Sequence, residues 1–541
     1  MSLNNEGEQL VQSEPGEENQ SPSRGSKKWI GAAAAAAAVV ALSIGGVAVV
    51  NALGGGGPQP EDVLPANAIA FVKLDLNPSA GQKLAAYQLA SKIPEAKKKI
   101  TSEETSIKEA VFGSLFTGSA KGGGFGLDYK KDVQPWLGDR VGMGVFPDSD
   151  GDKQPEFGIA FAYTDQSAAK VALDKAIANE AKGPAMSHGS MPNMPDTPSD
   201  KPEPPAGKPS TTGYAFADGF VIVSDTTAHA TALVNAGKSG TLAKSKSKYV
   251  EDVKGLGSDQ IGVAWADIAA FYKAIPKDQK ANPLGPLMGL KGPQDPSNAS
   301  GRVVMGLHAD PSFLEVTGKG IEVKGADTLF TAGARTEAGI LASFPSDVIG
   351  AVTVTGLGKA AGTLYTSLTT GEDGLGIKTT LNEVGIDSAK EIETLLGDET
   401  GIMLSGTMAS PQFAIRTRGK DANAALAIAR KALSSPAAEI DMVTAAKITA
   451  PDGIVVSMSP GLTKSIFDKV APKLGGSEAF RQALPDADKA DMAQYMNISK
   501  LTPFITRENH KKDAALKPLG SFGMTAINGN EATFRLRLTV K

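Results

Sequence analysis

The chain has 541 residues, 41% of them hydrophobic and 21% charged, with 55 Lys and Arg against 59 Asp and Glu. That length holds two or three domains with sizeable cores, and the absence of any basic excess excludes a nucleic-acid partner held by charge. With no Cys and only four His, disulfides, thiolate metal sites, iron–sulfur clusters, a cysteine nucleophile, a lipid-modified anchor cysteine and most zinc chemistry are excluded as well.

Residues 1–28 carry Glu6, Glu8, Glu14, Glu17 and Glu18 among Asn, Gln, Ser and Gly, and without apolar periodicity they are expected to be a disordered tail. From Trp29 to Leu53 runs WIGAAAAAAAVVALSIGGVAVVNAL, free of charge. At a rise of about 1.5 Å per residue it is long enough to cross a hydrocarbon core of ~30 Å. Arg24, Lys27 and Lys28 precede it and the next cation is Lys73, so the cationic flank places the amino terminus in the cytoplasm and the remaining chain outside. Two other readings stay open: a signal peptide cleaved after Ala52, and an Ala-rich buried helix. Residues 54–63, opening GGGGPQPED, read as a tether that is flexible at Gly and extended at Pro58 and Pro60.

Beyond the tether the sequence repeats itself once, in six blocks of one order. LPANAIAFVKLDL from Leu64 matches FPSDVIGAVTVTG from Phe344, and GLDYKKDVQPWLGDRVGMGV from Gly126 matches GIDSAKEIETLLGDETGIML from Gly385. PEFGIAFAYTD from Pro155 matches PQFAIRTRGKD from Pro411, DGFVIVSD from Asp218 matches DGIVVSMS from Asp452, and the blocks from Ala264 and Gly301 match those from Gln494 and Gly520. The expected units are residues 64–325 and, after a linker helix near 326–342, the rest of 326–541. In the first unit period-2 runs predict strands near 68–75, 140–146, 157–163, 213–217, 219–224, 260–266, 302–309 and 313–320. Helical periods fall near 79–92, 95–116, 128–137, 166–181, 226–236, 246–254 and 267–275. Turn chemistry at Ala217-Asp218-Gly219, Asp310-Pro311-Ser312 and Asn528-Gly529-Asn530 makes hairpins, hence antiparallel pairing. The expected fold class is α+β: an internally duplicated unit of mainly antiparallel sheet with packed helices, preceded by one transmembrane helix.

The acids shared by the copies, Asp139 with Asp398 and Asp218 with Asp452, all sit beside Gly. They read as structural, with Gly138 or Gly397 closing a helix in the left-handed conformation and Asp-Gly forming turns. The Pro-rich segment 182–212 is a surface loop in which Met186, His188, Met191 and Met194 place three thioethers and an imidazole together, a ligand set suited to Cu(I); a purposeless linker is the other reading. Gly237-Lys238-Ser239-Gly240-Thr241 has Ala232 where a phosphate loop needs its first Gly, and Gly122–Gly126 lacks dinucleotide-loop spacing. His229, His308 and His510 are isolated, and Lys97-Lys98-Lys99 is a solvated helix face or a contact for anionic lipid. No GxSxG or HExxH motif occurs.

The tether followed by LPANAIAFVKLDLNPSAGQK, WLGDRVG, PEFGIAFAYTD and GYAFADGFVIVSD resembles the bacterial membrane-anchored family catalogued as domain of unknown function 3352, and the Ala-rich run looks like its actinobacterial members. The resemblance covers most of the chain beyond the tether. It implies an envelope protein and brings no catalytic residues with it. The expected function is that of a single-pass, membrane-anchored extracytoplasmic protein of the cell envelope that binds or scaffolds. It needs no cofactor, and its partners are the membrane through the N-terminal helix and a lipid or envelope protein. The alternatives are an envelope hydrolase with its site in one repeat only, and Cu(I) binding by the Met/His loop.

Overall fold

A computed structural model describes residues 57–94, 96–97, 108–109, 116, 126–148, 155–182, 212–257, 260–274, 300–324, 339–370, 374–407, 410–434, 444–448, 453–468, 470–505, 516–528 and 531–541. The strands are β1 (Ala70–Asp75), β2 (Leu137–Phe146), β3 (Glu156–Tyr163), β4 (Gly213–Ala217), β5 (Phe220–Ser224), β6 (Gly262–Asp267), β7 (Ser300–Asp310) and β8 (Phe313–Lys324), then β9 (Gly350–Thr355), β10 (Glu399–Thr407), β11 (Ser410–Arg418), β12 (Thr444–Ile448), β13 (Gly453–Ser457), β14 (Met492–Asn497), β15 (Leu519–Ile527) and β16 (Ala532–Val540). All eight strands expected in the first unit are present. Every pairing between these strands is antiparallel, so the architecture is α+β with one large antiparallel sheet and packed helices.

The sheet has sixteen strands in the order β12-β13-β11-β10-β9-β14-β15-β16-β8-β7-β6-β1-β2-β3-β5-β4. Read outward from the middle, the two halves have the same strand order. Their chain entries match too: the Leu242 amide donates to the Leu64 carbonyl at 3.0 Å, and the Leu474 amide to the Phe344 carbonyl at 2.8 Å. The last hairpin of each half carries a register shift at its outer end, between Ser300 and Arg302 in one and Leu519 and Phe522 in the other.

β8 and β16 join the halves, pairing Val316 with Leu536 and Thr317 with Arg535. On one face of this seam Glu315, nearly buried, accepts from Arg537 Nε at 2.8 Å and lies 3.2 Å from Arg535 Nε. The Arg537 guanidinium also stacks 3.7 Å over the Phe313 ring, a favourable cation–π placement. On the other face Leu314 and Val540 belong to an apolar cluster with Ala85, Ala86 and Leu89 of the helix Ala80–Ser91.

Three expectations are corrected. The helix expected near 128–137 is a π-helical turn over Tyr129–Val133 followed by β2 from Leu137; Pro135 cannot supply an amide to prolong a helix, and Trp136 Nε1 instead donates back to the Asp132 carbonyl at 2.7 Å. Gly397 is the left-handed residue after the helix Ala389–Leu396, but Gly138 lies within β2, where a side chain would meet the Ala162 carbonyl. Pro60–Asp62, expected within the tether, form a 3-10 turn packed on the sheet. The Trp29–Leu53 run, the loop 182–212 beyond Lys182 and Thr212, and most of the expected helix 95–116 and linker helix lie outside the described residues. Among the described residues no helix is long and apolar enough to cross a membrane.

Replacing Glu315 by Ala removes the shared counter-ion of two neighbouring arginines. The expected loss is about 3 kcal/mol, read from the urea midpoint at unchanged slope, with Glu315→Gln costing less because its carbonyl still accepts a hydrogen bond.

Candidate functional site

Of the residues singled out in the sequence, Met186, His188, Met191, Met194 and His510 lie outside the described residues. Among the described residues no group of three or more His, Asp or Glu is placed to hold a metal. Gly237 lies in the last turn of the helix Thr227–Ser239 and packs on the Val63 carbonyl, which a side chain there would strike; its role is close packing. Asp139 is paired with Lys108 at 2.7 Å. Its backbone carbonyl accepts from Leu76, as the Asp398 carbonyl accepts from Gly356, which is the structural role expected for this pair.

The pairing of Asp218 with Asp452 does not survive the register. Ala162 faces Phe220 in the first half, whereas Arg418, its match in the Pro411 block, faces Gly453. The strands are therefore offset by one residue from the sequence match, and Ser457, not Met458, occupies the place of Ser224. The caps agree, since Thr226 Oγ1 accepts from the His229 amide at 3.0 Å and Ser459 Oγ from the Leu462 amide at 3.2 Å.

This offset exposes a group that sequence spacing did not assemble. Asp225 Oδ1 lies 2.6 Å from His229 Nδ1 and 3.1 Å from Ser224 Oγ, while the matching places in the second half hold Ser457, Met458 and Leu462. A carboxylate and an imidazole beside a Ser in one half, with apolar residues in place of both beside the retained Ser457 in the other, suit a one-site hydrolase, but the geometry is wrong for nucleophilic attack. The Ser224 hydroxyl donates to the Phe157 carbonyl at 2.6 Å, its other neighbour is a carboxylate, and the residue is buried. An activated serine needs a base nitrogen on its proton and an open approach. The group is a strand-end anchor and helix cap.

A second group lies where the halves meet. Gly255, Leu256, Lys319, Asp486, Ile527 and Arg535 line a cleft of about 240 Å³. Arg535 pairs there with Asp486 as well as Glu315, so its charge is already spent on the seam. On the same face a half-buried Lys246 donates to the Ala66 and Ala68 carbonyls at 3.2 and 2.7 Å and sits 4.9 Å above the Trp265 ring. Burial pulls its ammonium below the usual lysine range, against the opposing pull of Asp267.

The opposite face differs between the halves. In the first, Ile159 and Phe161 are covered by Phe116, Trp136 and the helix Gln166–Lys182, and the helix Ala80–Ser91 lies over β7, fixed by Gln82, whose Nε2 donates to the Ala309 carbonyl at 3.0 Å and whose Oε1 accepts from the Ala309 amide at 2.9 Å. In the second, the helix Leu357–Thr369 packs instead against Ala389–Leu396, with Gly358 and Gly362 set where side chains would strike the Gly397 and Glu393 backbone and the Glu393 side chain. Ile402, Phe413 and Ile415 are at 42%, 46% and 39% exposure on adjacent paired strands, where Ile159, the match of Ile415, is at 8%. Leu364 and Leu368 of the displaced helix are exposed as well. Single exposed apolar side chains are ordinary, but a contiguous set on a sheet face marks an interaction surface. Period-2 patterning shows which residues share a face and not whether a helix covers it, which is why sequence reasoning missed this one.

The fold is thus that of an α+β protein built on one antiparallel sheet, with an open apolar face rather than a catalytic centre as its most distinctive surface. The family described as Protein of unknown function (DUF3352) matches residues 32–541, and the chain belongs to it. No curated protein and no solved structure matches the chain.

Three outcomes are expected. A serine-reactive fluorophosphonate should leave the protein unlabelled; labelling that disappears in Ser224→Ala would restore the hydrolase. Gly397→Ala, at a φ of 64° against the Arg418 carbonyl, should cost at least ~1 kcal/mol in urea unfolding. For Lys246 the folded protein binds fewer protons than the unfolded chain between its lowered value and the ordinary 10.5, so stability should rise with pH across that window, a slope that Lys246→Met should flatten.

Proposed function

We propose that this chain is a single-pass, membrane-anchored extracytoplasmic binding protein of the cell envelope, its halves copies of one unit, and that the second half offers its open sheet face to a lipid acyl chain. The observation that carries this reading is the contrast at one sheet position: apolar and covered in the first half, apolar and open in the second. A binding surface needs apolar area that the protein's own helices leave available, and Ile402, Phe413 and Ile415 provide it. Anchoring is supported by the charge-free Trp29–Leu53 run with its cationic flank, and the family match includes nearly all of that run.

The test is native mass spectrometry of the full chain extracted from membranes, followed by organic extraction of what accompanies it. A stoichiometric lipid is expected in the wild type and should be lost in Ile402→Glu and Phe413→Glu. Both positions are solvent-accessible, so stability should change by less than about 1 kcal/mol. A bare polypeptide mass for the wild type would sink the lipid reading in favour of a protein partner on the same face.

A further inference from the structure

The start of the folded body is strapped to the sheet. The Gln59 side chain donates to Asp75 at 3.3 Å, its backbone amide donates to Asp62 at 2.7 Å, and Glu61, nearly buried, pairs with Lys73 of β1. Asp75 is held in turn by Arg140 of β2 at 3.0 Å. Pro60 fills the notch over Gly142, where any side chain on β2 would displace it. The strap reaches back further: Gly57 lies beside the Arg140 guanidinium, and the Pro58 ring faces Gly219 in the turn between β4 and β5. Five separate packing or polar contacts thus fix the chain from Gly57 onward.

Only Gly54, Gly55 and Gly56 separate Leu53 from the strap. Fully extended, that stretch spans ~10 Å, compared with the ~35 Å of a ten-residue tether. A head-group layer of about 5–8 Å occupies much of the shorter distance.

Building on the membrane-anchored reading above, we propose that the body does not float on a leash. It stands on the phospholipid head-group layer by the sheet end that carries the Asp218-Gly219 turn, with the strands of the first half pointing away from the bilayer. The exposed groups at that end include Asp218 and Asp165, which anionic lipid repels. The contact is therefore imposed by chain connectivity, not by charge, and should form equally on zwitterionic phosphatidylcholine and persist in high salt.

The absence of Cys allows single labels without background. Asp218→Cys marks the turn, and Ala228→Cys, in the first turn of the helix Thr227–Ser239, lies beyond the other end of β5, a strand of five residues or ~16 Å; both positions are exposed. The full chain is placed in phosphatidylcholine vesicles containing a lipid with a nitroxide on its head group, and a fluorophore on each cysteine reports quenching. Strong quenching is expected at position 218 and weak quenching at 228, unchanged by 0.5 M salt, and a twelve-residue Gly/Ser insertion between Gly56 and Gly57 should abolish the difference. Equal quenching at the two positions in a chain that resists alkaline washing overturns the seating while leaving the anchor intact, and so does indifference to the insertion. A chain that washes off the vesicles overturns the anchor and the seating together.

Discussion

The pairing of β8 with β16 is the constraint on which the rest of the molecule depends. Each half ends in a hairpin whose last strand would otherwise be an open sheet edge, with a row of unpaired amides and carbonyls. Pairing the two edges satisfies both rows at once and makes a single sixteen-stranded sheet. The seam is reinforced differently on its two faces, by Glu315 between two arginines on one and by Leu314, Val540 and the helix Ala80–Ser91 on the other. One half therefore supplies the acid and the other the bases.

Equal strand order has not produced equal surfaces. The divergence begins with a few residues in the helix that follows the first strand of each half. Gln82 uses both ends of its amide to hold one helix on β7, burying Ala85, Ala86 and Leu89. In the other helix Gly358 and Gly362 allow a close approach to the helix Ala389–Leu396. Whether an apolar sheet face becomes core or contact surface depends on what lies over it: Phe116, Trp136 and the helix Gln166–Lys182 bury Ile159 in the first half, and its match Ile415 is exposed. The Ser224, Asp225 and His229 group shows the converse: residue types that suggest chemistry are arranged to close a strand end and cap a helix.

Much of this organisation was legible in the chain. Alternating Val, Ile and Phe located the eight strands of the first half, because a period of two is imposed by the backbone wherever one face is buried. Failures came where a single residue overrode a periodic pattern. Pro135 ended a helical period early, and a one-residue shift in β13 detached Asp452 from Asp218 despite an Asp-Gly match, since Gly is equally suited to a turn and to the close approach that Gly453 makes to the Thr417 carbonyl. The strap was hidden because Gly and Pro signal a linker by composition, whereas Pro60 is held by the notch that Gly142 leaves on another strand.

The sequence by itself determined the class of fold, the repetition of its parts, the lack of thiol chemistry and the charge-free run before the body, because these follow from composition, period and order along the chain. Tertiary structure alone decided which apolar faces are covered, which charges meet across the seam and where the tether ends. Those outcomes depend on residues such as Gln82 with Ala309, Glu315 with Arg537 and Pro60 with Gly142, brought together across tens to hundreds of intervening positions by a register that local sequence does not encode.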